Sequence, residues 1–293
     1  MTELQDYLDH NSQEKIVPHL LRRWIQFAPV PEGSFWMGGD PALDPFAQAN
    51  EQPRHRQRSN AFWMATTPIV QAAFAQFVAR TGYRTLAEVE SRGIVFEDGA
   101  WTDKPGASWR SSLDSAVDQI PVTQVTWIDA RQFCDWATGI LTQPGYEICL
   151  PSELEWEYAA RGGNGFIYPW GSQPADRTRC NYDGQIGSPS PVQRYGGRGS
   201  SLCACLDMAG NVWEWTRSRY RAYPYHPGDG RENLESDEYR VIRGGGWDSP
   251  AVMLRCSARA KQPPAFRASN LGFRVVLKKI DPDSPATGGT VNA

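Results

Sequence analysis

RGGGWDSPAVMLRCSARAKQPPAFRASNLGFRVV, residues 243–276, decides how this chain is read. Strand-like runs bound it, and its middle is rich in Gly, Pro and Arg. That pattern predicts strands tied together by irregular, ordered loops. The glycines of RGGGW are followed by neither a helix nor a lysine at phosphate-loop spacing, so they are read as allowing close backbone packing or a bulge. Ser249 beside Asp248 would need a base to act as a nucleophile. The chain's 4 histidines, His10, His19, His55 and His226, lie far away in sequence. Ser249 is therefore read as a loop residue making hydrogen bonds. Arg255, Arg259, Arg267 and Arg274 could line an anion groove, but in a strand-poor fold they are read as pins from loop to loop.

Working outward, NVWEWT, YRVIRGG, LRCSARA and LGFRVVL read as strands, and no helix is expected after residue 163. Upstream, Ser152 and Glu155 form a capping box that opens the helix ELEWEYAARGG. IDARQFCDWATGIL and PIVQAAFAQFVARTG bury apolar residues at helical spacing, the latter stopping at Gly82. PVTQVTW (121–127) alternates like a strand. FAPVPEGSFWMGG (27–39) reads as two strands about a turn, and AFWMATTP (61–68) as another. Residues 84–119 read as a long ordered loop, a kind that is often functional, and 221–238 as a polar, solvated one. Residues 1–26 form an amphipathic helical extension, 27–279 one domain, and 280–293 a tail of disordered composition.

Composition narrows the function classes. In 293 residues there are 12 Trp, 11 Tyr and 11 Phe beside 27 Gly and 22 Pro, which suits a loop-rich fold pinned by aromatic clusters. Net charge is −3, with no basic face for nucleic acid or anionic lipid. The start MTELQDYLDHNSQEK has no signal-peptide character, and no run is long enough to span a membrane. The 6 cysteines form no zinc-site spacing, so a cytoplasmic protein with reduced thiols is expected.

VPEGSFWMGG, PVTQVTWIDARQFCDWA, LPSELEWEYAARGG, YPWGS, DMAGNVWEWT, RVIRGGGW and SNLGFRVV follow one another in the order and at the spacing of one family. Together they resemble the formylglycine-generating-enzyme, or sulfatase-modifying-factor, domain over about residues 27–277. The resemblance implies an α+β fold: irregular, loop-rich and C-type-lectin-like, with two main helices and a mixed antiparallel sheet. It also spans several functions, from copper-dependent oxidases and iron-dependent sulfoxide synthases to silent paralogues and ligand-binding variable proteins diversified by retroelements.

The oxidases hold copper between two cysteine thiolates, soft ligands suited to Cu(I). By resemblance those positions fall at Ser249 and near Leu254, so no copper is expected. Cys256 and Cys134 match disulfide cysteines whose partners fall at Ala160 and Val275. The iron synthases carry an additional helical domain that this chain has no room for. A structural Ca²⁺ is implied at Asp207, Gly210, Val212 and Glu214, where carboxylates and carbonyls suit a hard cation; a second family site would begin at Asn181 and Tyr182.

The expected function is a non-oxidase member that binds a protein or small-molecule ligand through loops 246–270. Its contacts would come from Trp247, Asp248, Ser249, Val252, Met253 and Phe266, apolar loop side chains among them. The alternatives are an iron- or copper-dependent oxidoreductase acting on a small molecule or peptide, and a catalytically silent paralogue assisting an enzyme.

Overall fold

The computed structural model describes residues 14–112 and 119–280. The first half of the N-terminal extension, residues 1–13, and the tail after residue 280 lie outside that range. Within it, Leu21 of a short helix α1 (His19–Arg22) and the neighbouring Ile16, Val17 and Ile25 are buried in the main apolar cluster.

Two four-stranded sheets organise the chain. The first runs β1 (Phe27–Val30), β4 (Phe62–Ala65), β12 (Val276–Lys279), β7 (Tyr146–Cys149), antiparallel throughout. The two strands expected about the Pro-Glu-Gly turn both exist but do not pair with each other. β1 joins that sheet, whereas β2 (Gly33–Met37) pairs with β3 (His55–Ser59), a strand that its polar sequence hides. The second sheet runs β10 (Arg259–Gln262), β9 (Arg240–Arg243), β8 (Trp213–Arg219), β11 (Leu271–Phe273), with β11 parallel to β8. LGFRVVL is thus two strands in two sheets. At the crossing between them, the Phe273 and Val275 carbonyls accept from Ile69 and Ala65.

The three longer helices form where apolar spacing or a capping box predicts them, and the expected stop at Gly82 and cap at Ser152 are present. α2 (Gln71–Thr81) stops at Gly82, whose φ of 69° is the left-handed conformation that glycine adopts without penalty. A short α3 (Leu86–Glu90) follows. α4 (Trp127–Gly139) begins with a capping box between Thr126 and Asp129, and α5 (Glu153–Arg161) with the expected one between Ser152 and Glu155. Between α2, α4 and the sheets, Phe74 stacks on Phe133 at 5.9 Å and Phe133 meets Phe273 edge-on at 5.5 Å. This is the aromatic pinning that the composition suggests.

Some expectations fail for identifiable reasons. PVTQVTW is not a strand. Val122 and Gln124 donate instead to Ile69 and Ala268 carbonyls, and Gln124 takes a positive φ of 60° that breaks any ladder. Its alternation was misleading because the segment is buried on all sides. LRCSARA (254–260) is not one strand: it leaves a 3₁₀ turn at Ala251–Leu254, turns through Arg255–Ala258 and enters β10 only at Arg259. Residues 221–238 are not simply solvated, since Tyr223, Tyr225 and Arg231 are buried. Within 84–119 lie α3 and a hairpin, β5 (Arg92–Glu97) with β6 (Ala100–Pro105). Asp98 and Gly99 turn it at φ 52° and 80°, the pair of positive values that a tight hairpin turn needs and that Asp-Gly supplies.

Candidate ligand-binding cleft

Side chains alternate across a strand, and in the second sheet that alternation separates two chemistries. Cross-strand register aligns Glu214, Arg243 and Arg259 on one face. Trp215, Ile242 and Ala260 align on the other, which Trp213, Leu271, Phe273 and Gln262 extend and where Arg240, opposite Gln262, lies over Trp127 with its guanidinium bound to backbone carbonyls.

The charged face is buried beneath α5. Arg243 pairs with Glu157 and donates to the Ser257 and Cys256 carbonyls at 2.9 and 2.8 Å. Arg259 grips Glu153 through both oxygens, at 2.7 and 2.8 Å. Tyr223 also donates to Glu153, at 3.0 Å, and burial together with that carboxylate raises its hydroxyl well above the usual range. Arg274 holds Glu214 bidentately at 2.6 and 2.7 Å, and the Trp156 indole donates to the same carboxylate at 2.7 Å. Arg255 pairs with Asp44 and Glu51, and Arg267 with Glu90. The five arginines of the opening stretch are therefore pins, each bound to a carboxylate.

The opposite face joins the main apolar cluster, in which Trp213, Trp215, Ile242, Leu271 and Phe273 are all buried. Along it a cleft of about 440 Å³ opens. Its floor is Trp213, Ile242, Ala260 and Leu271, and its far wall is the β5–β6 hairpin. Register places Ile94, Phe96, Trp101 and Asp103 on one face of that hairpin. Ile94, Trp101 and Asp103 line the cleft, while Phe96 and Trp101 pack on Trp247 at 5.8 and 6.3 Å. The hairpin is fastened from below. Gln124 donates to the Ile94 carbonyl at 2.7 Å, as does the Ser269 amide at 2.9 Å. Phe266 and Ala268 close one side, and Gln262 and Asn270 supply amides.

Of the six expected contact residues, Phe266 lines this cleft. Trp247, 2% exposed, stands behind the hairpin aromatics. Asp248 accepts from Asn270 Nδ2 at 2.9 Å, so it orients a lining residue. Ser249 accepts from the Gly246 amide at 2.9 Å and clamps the glycine turn. There Gly245 has φ 76°, and a Cβ would fall 2.6 Å from Leu254. Val252 and Met253 lie outside the cleft: the Val252 carbonyl accepts from Arg255, and Met253 packs against the main cluster near Gln48. Trp101, Trp213, Gln262 and Asn270 were not foreseen. The Asp-Gly turn at 98–99 was the signal for Trp101; the others depend on which sheet face borders the cleft.

Copper does not fit the positions that the resemblance points to. Ser249 presents a hydroxyl held by a backbone amide, and Leu254 is fully buried. Among the described residues no group of three or more His, Cys, Asp or Glu is placed to hold a metal, so no step through copper or iron is derived. Burial pushes the Cys256 thiol up to about 12 and Cys134 well above its usual range, which makes both unreactive. Cys256 shares an apolar cluster with Ala160, and Cys134 another with Val275. At the implied calcium positions, Asp207 accepts from the Gln193 amide at 3.1 Å, and burial pushes its carboxyl up to about 6. Gly210, at φ 79°, and the buried Val212 lead from it to Glu214. Nearby, Asn181 Oδ1 is buried without a partner.

Known proteins resemble this chain in sequence and in fold. The bovine (Bos taurus) formylglycine-generating enzyme is 32% identical, covering 90% of this chain and 76% of its own. A bovine protein named inactive C-alpha-formylglycine-generating enzyme 2 is 29% identical over 85% and 87%. A hercynine oxygenase of Mycolicibacterium thermoresistibile is 31% identical over 82% and 56%. Among solved structures, PvdO from Pseudomonas aeruginosa superposes with a TM-score of 0.69 at 25% identity, covering 86% and 94%. Treponema denticola variable protein 1 superposes at 0.61 and 20% identity, over 86% and 94%, a likeness of fold. The relatives thus include a formylglycine-generating enzyme, a hercynine oxygenase and a protein named inactive. The family model of the sulfatase-modifying factor enzyme 1-like domain matches residues 18–279, and the chain belongs to that family.

Proposed function

We propose that this protein is a non-oxidase member of its family that binds a protein or small-molecule ligand in the cleft between the β5–β6 hairpin and the aromatic face of the second sheet. One observation carries the reading. The cleft is of ligand size, walled by Trp101, Trp213 and Phe266, with amide groups of Gln262 and Asn270 at hand. Apolar walls with a few convergent polar groups are the usual composition of small-molecule sites. Loops 246–270 contribute Phe266 directly, and Trp247 and Asp248 through the residues they support. The test is a fragment screen by ligand-observed NMR. Hits should vanish with Trp101→Ala or Phe266→Ala and persist with Val252→Ala, which lies outside the cleft. Hits insensitive to both cleft substitutions would overturn the reading.

A structural calcium is supported by the carboxyl of Asp207, raised by burial and lacking a cationic partner of its own, beside the carbonyl-rich turn to Glu214. A divalent cation there would share Glu214 with Arg274. Added calcium should raise the melting temperature of the wild type and not of Asp207→Ala. An unchanged wild-type melting temperature would remove calcium from the account. The 6 cysteines are all free thiols, which supports a reducing, cytoplasmic compartment. Among the described residues no helix is long and apolar enough to cross a membrane.

A further inference from the structure

Resting on the cleft being the ligand site, we propose that its occupant is an uncharged, planar heteroaromatic ring bearing an N–H, an indole-like compound. The charge balance of the cleft comes first. Asp103, the only ionisable side chain lining it, has Oδ1 held by Arg92 Nε at 3.0 Å and Oδ2 by Arg92 Nη2 at 2.5 Å. Lys104 is paired with Glu97. On β10, Ala260 and Gln262 face the cleft, so alternation turns Lys261 to the other side, where it lies over Tyr220 and Tyr239 at 4.9 and 5.1 Å. A charged ligand would therefore lose hydration without gaining a counter-charge.

The walls and the amides set the shape. Aromatic rings accept a planar ring face-on or edge-on. Asn270 commits Nδ2 to Asp248, leaving Oδ1 to accept a hydrogen bond, and the Gln262 amide makes no hydrogen bond among the described residues. A ring N–H matches that acceptor. A carbonyl-bearing substituent matches the Gln262 donor, and about 440 Å³ leaves room for it.

The experiment uses three compounds with the same ring and different charge, titrated calorimetrically into the full chain: neutral indole-3-acetamide, anionic indole-3-acetate and cationic tryptamine. The neutral compound should bind about tenfold more tightly than either ion, the scale of an uncompensated charge at a partly open site. Gln262→Leu should weaken it roughly fivefold, one hydrogen bond's worth. Gln262→Glu should turn the preference toward tryptamine. Equal or tighter binding of either ion to the wild type overturns the proposal, as does indifference to both Gln262 substitutions. If none of the three binds while other fragments still depend on Trp101, the indole-like ligand is wrong and the cleft reading stands. If no fragment depends on Trp101, both fall.

Discussion

One sheet carries two opposite uses of burial. On its α5 side, Arg243, Arg259 and Glu214 are each matched by a carboxylate or guanidinium at hydrogen-bonding distance. On its other side, Trp213, Ile242 and Ala260 are apolar, and the nearby polar groups of Gln262 and Asn270 are not fully used. The difference teaches where a ligand can go. Charges whose partners are already in place hold the molecule together and offer an organic ligand no free counter-charge. An apolar face along an open cleft offers it surface to bury.

The largest effect should come from breaking the charged face. Glu157 pairs with Arg243, and also holds Arg161 at 2.9 Å and the Gly38 amide at 2.8 Å. Glu157→Ala strands two buried guanidiniums, and a cost of about 3–5 kcal/mol is expected, since removing one partner leaves an uncompensated charge. Urea unfolding measures it. A loss below about 1 kcal/mol, the range of exposed pairs, would mean that this face is solvated in solution.

The aromatic face should respond in the reverse sense. Trp101 is 39% exposed on a hairpin, so Trp101→Ala should cost at most about 1–2 kcal/mol of stability while removing ligand binding altogether. If stability falls as far as in Glu157→Ala, Trp101 belongs to the core and the cleft is incidental. Unfolding and the NMR screen, run on one preparation, separate the two results.

How much of this contrast the sequence displays depends on the kind of signal. Capping boxes at Thr126 and Ser152 and the stop at Gly82 are local, so the helices are legible within a residue or two. The arginines are legible as pins, because a strand-poor fold needs them. The partners of Arg255, at Asp44 and Glu51, lie some two hundred residues away, and no pattern near residue 255 points to them. The cleft is legible only in part. Phe266 stands out as an apolar loop residue, but Trp213 looks like any buried strand tryptophan. Only the β5–β6 hairpin facing it across the cleft makes it a floor. PVTQVTW shows the opposite failure: alternation without a ladder, because buried backbone found partners on three separate elements.

The smallest effect is electrostatic and lies at the start of α5, the helix that covers the charged face. Burial alone would raise the Glu155 carboxyl, but Lys278 at 2.9 Å, with Arg217, overrides it and holds the group at about 2. The unfolded chain titrates near 4.5, so the folded state keeps the carboxylate charged where the unfolded state already binds a proton. The resulting stability is complete above pH 4.5 and is lost as pH falls toward 2. Lys278→Met removes the nearer cation, and burial then pushes the Glu155 carboxyl upward. The variant should lose on the order of 1–2 kcal/mol at neutral pH, and its stability should change less than the wild type's between pH 4.5 and 2. Parallel urea titrations across that range decide it. A wild-type acid limb retained in full by the variant would overturn the assignment of that limb to the Glu155–Lys278 pair.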